Sequence, residues 1–252
     1  MFTSGSTGRP RGYAIPASGL ESYIRFFRQS LSCRQGETVP RILLVSSISF
    51  VDHFQALFGG LGGGSVVCLA ATESILNDPH AVIGRLGVTH VPATPSFLSC
   101  LKPEDCPSLQ KLFSSGEPLS DRLYATWRGA VSLWNLYGQT ETTCSIAVQD
   151  CATALGPASV GQCTPFGQIY ILKQDLSRAP PGKVGEVCYS GIQLSKECTD
   201  DREVDRFVPN PYFSEHDGSS DILFRTGDLG RWASETELEI IGRIDRQVKV
   251  RG

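Results

Sequence analysis

Residues 3–11 place Thr3, Ser4, Ser6 and Thr7 around Gly5 and Gly8 and close on Arg9, Pro10 and Arg11. Backbone N–H groups bared by glycine and hydroxyl donors can wrap a phosphate chain, while the arginines neutralise it. The same composition suits a solvated Ser/Gly segment at a terminus, and composition alone does not separate the two. Because the stretch opens the sequence, no strand is expected ahead of it to steady the loop.

Further stretches carry chemistry-bearing side chains at close spacing. Ser115-Gly116-Glu117-Pro118 and residues 135–143, which contain Tyr137, Gly138, Thr140 and Glu141, each follow an apolar run. Residues 185–191, residues 224–230 with Asp228, and residues 242–252 with Arg243, Asp245, Arg246, Lys249 and Arg251 lie later. Each has an ordinary structural reading. Glu141 suits a helix start, where the macrodipole favours an acid; Tyr137 suits a core, and Asp228 a Thr-Gly-Asp turn.

The elements needed to hold these stretches can be read from periodicity. Residues 20–31 carry Tyr23, Ile24, Phe27 and Leu31 at helical spacing, with Ser18 as the expected N-cap. Buried strands are expected over 41–46, 65–70, 87–92, 111–115 and 132–136, and helices over 52–61, 78–86, 96–101 and 120–127. Strand and helix alternate, which predicts a parallel sheet flanked by helices. The first two stretches that follow apolar runs then lie at strand C-termini, where open parallel sheets hold ligands. Beyond about residue 155 short apolar runs at 168–173, 185–190 and 237–241 alternate with Pro/Gly/Asp turns, predicting a β-rich, barrel-like subdomain. The expected division is therefore 1–155, α/β, and 156–252, β-rich.

Composition narrows the classes. Of 252 residues 40% are hydrophobic and 19% charged, and the net charge is -3. A general nucleic-acid binder is disfavoured, because no basic surplus exists to displace counterions from a phosphate backbone. The nine cysteines are spread without a Cys-x-x-Cys pair, which points to reduced thiols rather than a disulfide framework or zinc site. With no signal-like opening and no long apolar run, no membrane span is expected and a cytoplasmic protein is.

The stretches TSGSTGRPRG, SSGEP, LYGQTETT, GEVCYSG, FRTGDLGRW and GRIDRQVKVRG, in that order and from the first residue to the last, closely resemble the signature motifs of the adenylate-forming superfamily. That superfamily holds acyl-CoA synthetases, peptide-synthetase adenylation domains and luciferases. The resemblance implies attack of a carboxylate on the α-phosphate of ATP with Mg²⁺, then transfer of the acyl group to CoA or a 4'-phosphopantetheine carrier. It assigns Thr3, Ser4, Gly5, Ser6, Thr7, Gly8 and Arg11 to the phosphate loop, with Arg11 where lysine is usual. It assigns Tyr137, with Gly138 beside it, to adenine, and Gly116 and Glu117 to the other side of that base. Thr140 is implied at the α-phosphate and Glu141 as the Mg²⁺ ligand, these two being the catalytic pair; Asp228 and Arg243 are implied at the ribose.

The same resemblance implies an acyl pocket of Val51, Asp52, Gln55, His90, Phe113, Ser115, Leu136, Cys144 and Ser145. Val51 stands where α-amino acid activators carry an acid, and an apolar side chain cannot hold a buried ammonium. A small carboxylic or ω-amino acid is expected, unless Asp52 takes over by a local shift; the 127–129 to Leu-Tyr-Gly spacing is similar to the β-alanine-activating branch. His53 and His90 are open between carboxylate contact and core filling. A region ahead of the phosphate loop and a small lysine-bearing domain after Asp245 are expected to lie outside this chain, and Lys249 is not that lysine. The chain by itself is expected to bind ATP weakly with little turnover; the competing expectation is a truncated, catalytically impaired nucleotide-binding module.

Overall fold

The computed structural model describes residues 1–3, 10–31, 39–195, 197–199, 201–216 and 218–244, and nothing is said here of the side chains of 201–203. Two short strands, β1 (Phe2–Thr3) and β2 (Arg11–Gly12), precede helix α1 (Ala17–Ser30) and strand β3 (Arg41–Leu43). A helical stretch follows, made of α2 (Val51–Phe54), a π-helical turn (Gln55–Gly59) and α3 (Gly60–Gly62). Next come β4 (Val66–Cys68), α4 (Thr72–Asn77), α5 (Pro79–Leu86), β5 (His90–Ala93), α6 (Pro95–Leu98), β6 (Lys111–Ser114), α7 (Asp121–Trp127) and β7 (Ser132–Gly138). The remainder is strand-rich: β8 (Ser145–Asp150), β9 (Ser159–Cys163), β10 (Gly167–Leu172), β11 (Gly185–Gly191), β12 (Phe207–Pro209), β13 (Ile222–Trp232) and β14 (Leu238–Arg243).

The parallel sheet has the order β4-β3-β5-β6-β7, and β8 then pairs antiparallel with β7. Ladder hydrogen bonding runs on without a break through β9, β14, β13, β11 and β10. The α/β and β-rich parts thus share one sheet, joined by β8 and β9, which the sequence pattern does not reveal. Period-2 alternation sorts side chains to the two faces. Leu43, Leu112 and Leu133 join a core with α4, α5 and α7, while their neighbours Ile42, Phe113 and Leu136 pack with Tyr23 and Phe27 of α1 and Ala56 of the π turn.

Helix ends follow the expected chemistry where a side chain is free to cap. Asp78, Thr94 and Ser120 accept from backbone N–H groups of α5, α6 and α7. By contrast α1 begins at Ala17 after Pro16 and has no side-chain cap, as is also true of α2, α3 and α4. Ser18 lies inside the first turn, so the expected cap is corrected. Proline supplies a preset φ at a helix entry. The helix over 51–62 is not regular, as the pattern over 52–61 suggests, but widens to a π turn where it meets α1; a Cβ on Gly59 would stand 2.4 Å from Phe27. The strands expected over 41–46 and 65–70 are shorter than their apolar runs, and α4, β8 and β9 have no counterpart in the sequence reading. No cysteine forms a disulfide among the described residues. No described helix is long and apolar enough to cross a membrane.

Trp127 has no exposed surface, and its indole N–H has no partner. Trp127→Ala is expected to lower stability by about 3–5 kcal/mol. Trp127→Phe should cost clearly less, because it retains much of the ring and removes the orphaned donor. Urea unfolding of both variants checks this; equal losses would refute the packing account.

Candidate functional site

At the C-terminal ends of the parallel strands, β3 connects outward to β4 while the chain returns to β5 on the other side of β3. Such a reversal opens a crevice at the strand ends. Val51, Asp52 and Gln55 follow β3, Ser115, Gly116 and Glu117 follow β6, and Tyr137 to Glu141 close β7. A groove of about 650 Å³ lined by Phe26, Lys111, Trp134 and Cys163 opens instead where β6 and β7 begin, at the opposite end of the strands.

Asp228, on β13 and almost fully buried, is the centre of a polar cluster. Its Oδ2 accepts from the Tyr137 hydroxyl and from Gln139 Nε2, both at 2.6 Å, and its Oδ1 accepts from Arg243 Nη1 at 2.7 Å. Burial, then the neighbouring Asp228 charge, hold the Tyr137 hydroxyl well above its ordinary pKa, so it stays a donor. Register accounts for the meeting: Asp228 pairs with Arg243 across β13 and β14, and Tyr137 and Gly138 extend β7 two residues beyond the expected strand. Gly138 opposes Ser145 at a bulge, where a Cβ would stand 2.0 Å from the Cys144 carbonyl, so only glycine fits there.

The turn after β7 holds Thr140 and Glu141. Gln139 caps it through a reciprocal pair with Thr142. Glu141 is 8% exposed, and its Oε1 faces Arg206 Nη1 at 3.6 Å. Thr143 and Cys144 follow with φ of 49° and 71°, left-handed values that non-glycine residues rarely adopt. Gln193 holds this turn. Its Nε2 donates to the carbonyls of Thr143 and Ser145, its own carbonyl accepts from the Thr143 hydroxyl at 2.6 Å, and its Oε1 accepts from Thr164 and Tyr189.

At the expected acyl pocket, Val51 packs against the hydrophobic cluster of Tyr23, Phe113, Leu136 and Cys144, and Cys144 donates weakly to the Val51 carbonyl. Asp52 Oδ1 accepts from Ser115 Oγ at 3.1 Å, and the Asp52 charge raises the pKa of Cys144 after burial has done so. The carboxylate next to Val51 in the chain is thus turned toward the end of β6. Gln55 has no exposed surface, and neither of its amide atoms has a partner. His53 Nδ1 bonds the Ser46 carbonyl, tying the helix to the loop that follows β3. His90 stacks on Phe113 and shares a hydrogen bond with Thr89 Oγ1, so it fills core. Glu117 Oε2 accepts from the Ser96 N–H and hydroxyl at the start of α6, and Gly116 before it has a φ of 83°.

Of the phosphate loop, Ser4, Gly5, Ser6, Thr7, Gly8 and Arg9 lie outside the described residues, as do Asp245, Arg246, Lys249 and Arg251. The feet of the loop are described and are held, against the expectation from its terminal position. Phe2 and Thr3 pair with Gly12 and Arg11, Tyr13 N–H donates to the Met1 carbonyl, and Gly12 N–H donates to Thr199 Oγ1. Backbone groups left over at the chain start find partners in the strand that returns. The sequence reading missed Gln139, Gln193 and Arg206; Gln139 stands inside the LYGQTETT stretch but was given no role, and a lone Gln193 or Arg206 outside a dense motif carries no spacing signal.

A family model described as AMP-binding enzyme matches residues 1–197. The chain is 32% identical over 253 residues to the nonribosomal peptide synthetase ataP of Aspergillus terreus, and 31% identical over 261 residues to bacitracin synthase 3 of Bacillus licheniformis. Both alignments cover 100% of this chain but 16% and 4% of those proteins. The crystal structure of the Vibrio cholerae adenylation domain AlmE in complex with glycyl-adenosine-5'-phosphate superposes with a TM-score of 0.83 at 26% identity, covering 99% of this chain and 48% of that one. The chain thus spans about half of that solved chain and a small part of the synthetases.

Burial, with the Lys111 charge second, pushes the His90 pKa down to about 4 from an ordinary value of 6.5. Between those values the unfolded chain binds more protons than the folded one, so His90 makes stability fall as pH drops below 6.5. Unfolding free energy measured at pH 7 and pH 5 should fall by about 2 kcal/mol more in the wild type than in His90→Asn. An equal fall in both would show that His90 is protonated in the folded state.

Proposed function

The chain belongs to the AMP-binding enzyme family, and on that premise we propose that it carries the nucleotide site of a ligase that activates a carboxylic acid with ATP. In that reaction a substrate carboxylate oxygen bonds to the α-phosphorus, the bond to the bridging oxygen breaks, and pyrophosphate leaves with the electron pair. The observation that supports the reading most is the convergence of Tyr137, Gln139 and Arg243 on Asp228 at the strand ends. Tyr137 offers a ring held at its hydroxyl end, suited to an adenine face. Asp228 offers an anion suited to a ribose diol. With three donors already on about four lone-pair sites, a diol donating twice displaces one of them.

Among the described residues no group of three or more His, Cys, Asp or Glu could hold a metal ion. Mg²⁺ does not need one, since it is commonly held by one or two carboxylates together with substrate phosphates. Glu141, buried and ionically paired yet without a hydrogen bond to its carboxylate among the described residues, fits that role. When bound, the metal would supply charge stabilisation on the phosphates. Thr140 at the head of the same turn is the residue for the α-phosphate, and Thr3 and Arg11 place the phosphate loop.

For the acyl side the reading favours a small acid bearing a primary ammonium, with Asp52 as its counter-ion and Gln55 one turn along as a second polar contact. The glycyl adenylate named with the Vibrio cholerae domain is in keeping with this class. The acceptor would be the 4'-phosphopantetheine thiol of a carrier protein, preferred over CoA because the relatives named are nonribosomal peptide synthetases.

Binding of acyl-sulfamoyl adenosines, stable mimics of acyl-adenylates, by calorimetry tests the reading on the chain itself. Asp228→Asn is expected to weaken every analogue by about tenfold or more. Asp52→Asn should weaken only analogues with an ammonium, again about tenfold, and leave deaminated ones unchanged. No binding to the wild type would sink the proposal, and equal losses across the panel for Asp52→Asn would sink the substrate class.

A further inference from the structure

Arg206 ends the 3₁₀ turn Asp201–Arg206 and reaches across from the β-rich part to the turn after β7. Its Nε donates to the Arg225 carbonyl at 3.0 Å and its Nη2 to the Thr226 carbonyl at 2.8 Å, while its guanidinium lies 4.6 Å from the Phe224 ring. These contacts anchor the cation to β13. Nη2 also donates to Gln139 Oε1 at 3.2 Å, and Gln139 in turn donates to Asp228. The remaining terminal nitrogen, Nη1, faces Glu141 at 3.6 Å.

That distance is an electrostatic contact rather than a hydrogen bond. It neutralises a carboxylate that would be costly to bury alone, and it leaves the carboxylate lone pairs open to another cation. Because the guanidinium is fixed elsewhere, it does not move aside without breaking bonds to the β13 backbone. A bare divalent ion approaching Glu141 therefore meets a positive charge close by. An ion arriving with a polyphosphate brings the negative charge that offsets it.

We propose that Arg206 is a positioning residue that holds the Gln139–Glu141 turn and makes divalent-cation binding at Glu141 conditional on nucleotide. The proposal rests on Glu141 being the metal ligand. It describes a coupling free energy between two ligands of one site, set by a cation held on β13 and Gln139.

The test uses Mn²⁺ without nucleotide, followed by the loss of the free-ion electron paramagnetic resonance signal, and the Mg²⁺ dependence of ATP binding by calorimetry. Arg206→Gln is expected to bind Mn²⁺ alone about tenfold more tightly than the wild type, and the gain should vanish in the Arg206→Gln, Glu141→Gln double variant. Arg206→Lys, which keeps the charge, should bind Mn²⁺ alone as weakly as the wild type, a result that loss of packing would not produce. Arg206→Met keeps the stem over Phe224 and serves as the neutral variant should the Gln form fail to fold. Unchanged Mn²⁺ affinity in the neutral variants overturns the proposal. If Glu141→Gln removes the Mg²⁺ dependence of ATP binding while those variants change nothing, only the role of Arg206 falls. If Glu141→Gln leaves that dependence intact, the metal role of Glu141 falls with it.

Discussion

A carboxylate buried at the seam between a parallel and an antiparallel half must be neutralised and hydrogen-bonded, and Asp228 is satisfied only by groups from both halves. Tyr137 and Gln139 come from the end of β7, Arg243 from β14. Leaving such a group unpaired costs several times what a satisfied hydrogen bond contributes. Pairing this anion therefore ties the end of β7 to β13 and β14, beside the continuous sheet through β8 and β9. Gln139 extends the network to Arg206 and so to Glu141, which makes the Asp228 and Glu141 carboxylates members of a single chain of contacts.

The backbone beside this network is strained where it must turn fastest. Thr143 and Cys144 in succession occupy left-handed space, a conformation that costs roughly 1–2 kcal/mol for each non-glycine residue. Gln193 offsets the cost by bonding both sides of the turn from a position in the β-rich part. The turn directs Cys144 toward Val51 and lets β8 run back antiparallel to β7. The crevice at Val51 and the Asp228 cluster are thus shaped by the same reversal of the chain.

Within that crevice, position matters more than residue type in the linear order. Val51 is apolar and packs with aromatics, and the charge sits on Asp52 because the helix begins at Val51 and turns the next residue toward Ser115. Gln55, further along the same helix, stays without a protein partner where the helix widens into its π turn. Such widening is found often at functional sites.

The alternation of strands and helices to residue 138, the β-rich remainder and the motif residues Tyr137, Glu141 and Asp228 were all legible in the sequence. Each depends on local periodicity or a dense run of polar residues, and these are properties of neighbours in the chain. The continuity of the sheet through β8 and β9, the anchoring of the feet of the opening loop by residues near 198, the contact of Asp52 with Ser115 and the place of Arg206 beside Glu141 were not. Each of these arises from pairing between residues distant in sequence, where isolated Gln, Arg and Thr side chains carry no pattern. Only the folded chain, by bringing buried polar groups close enough to demand partners, decides which of them meet.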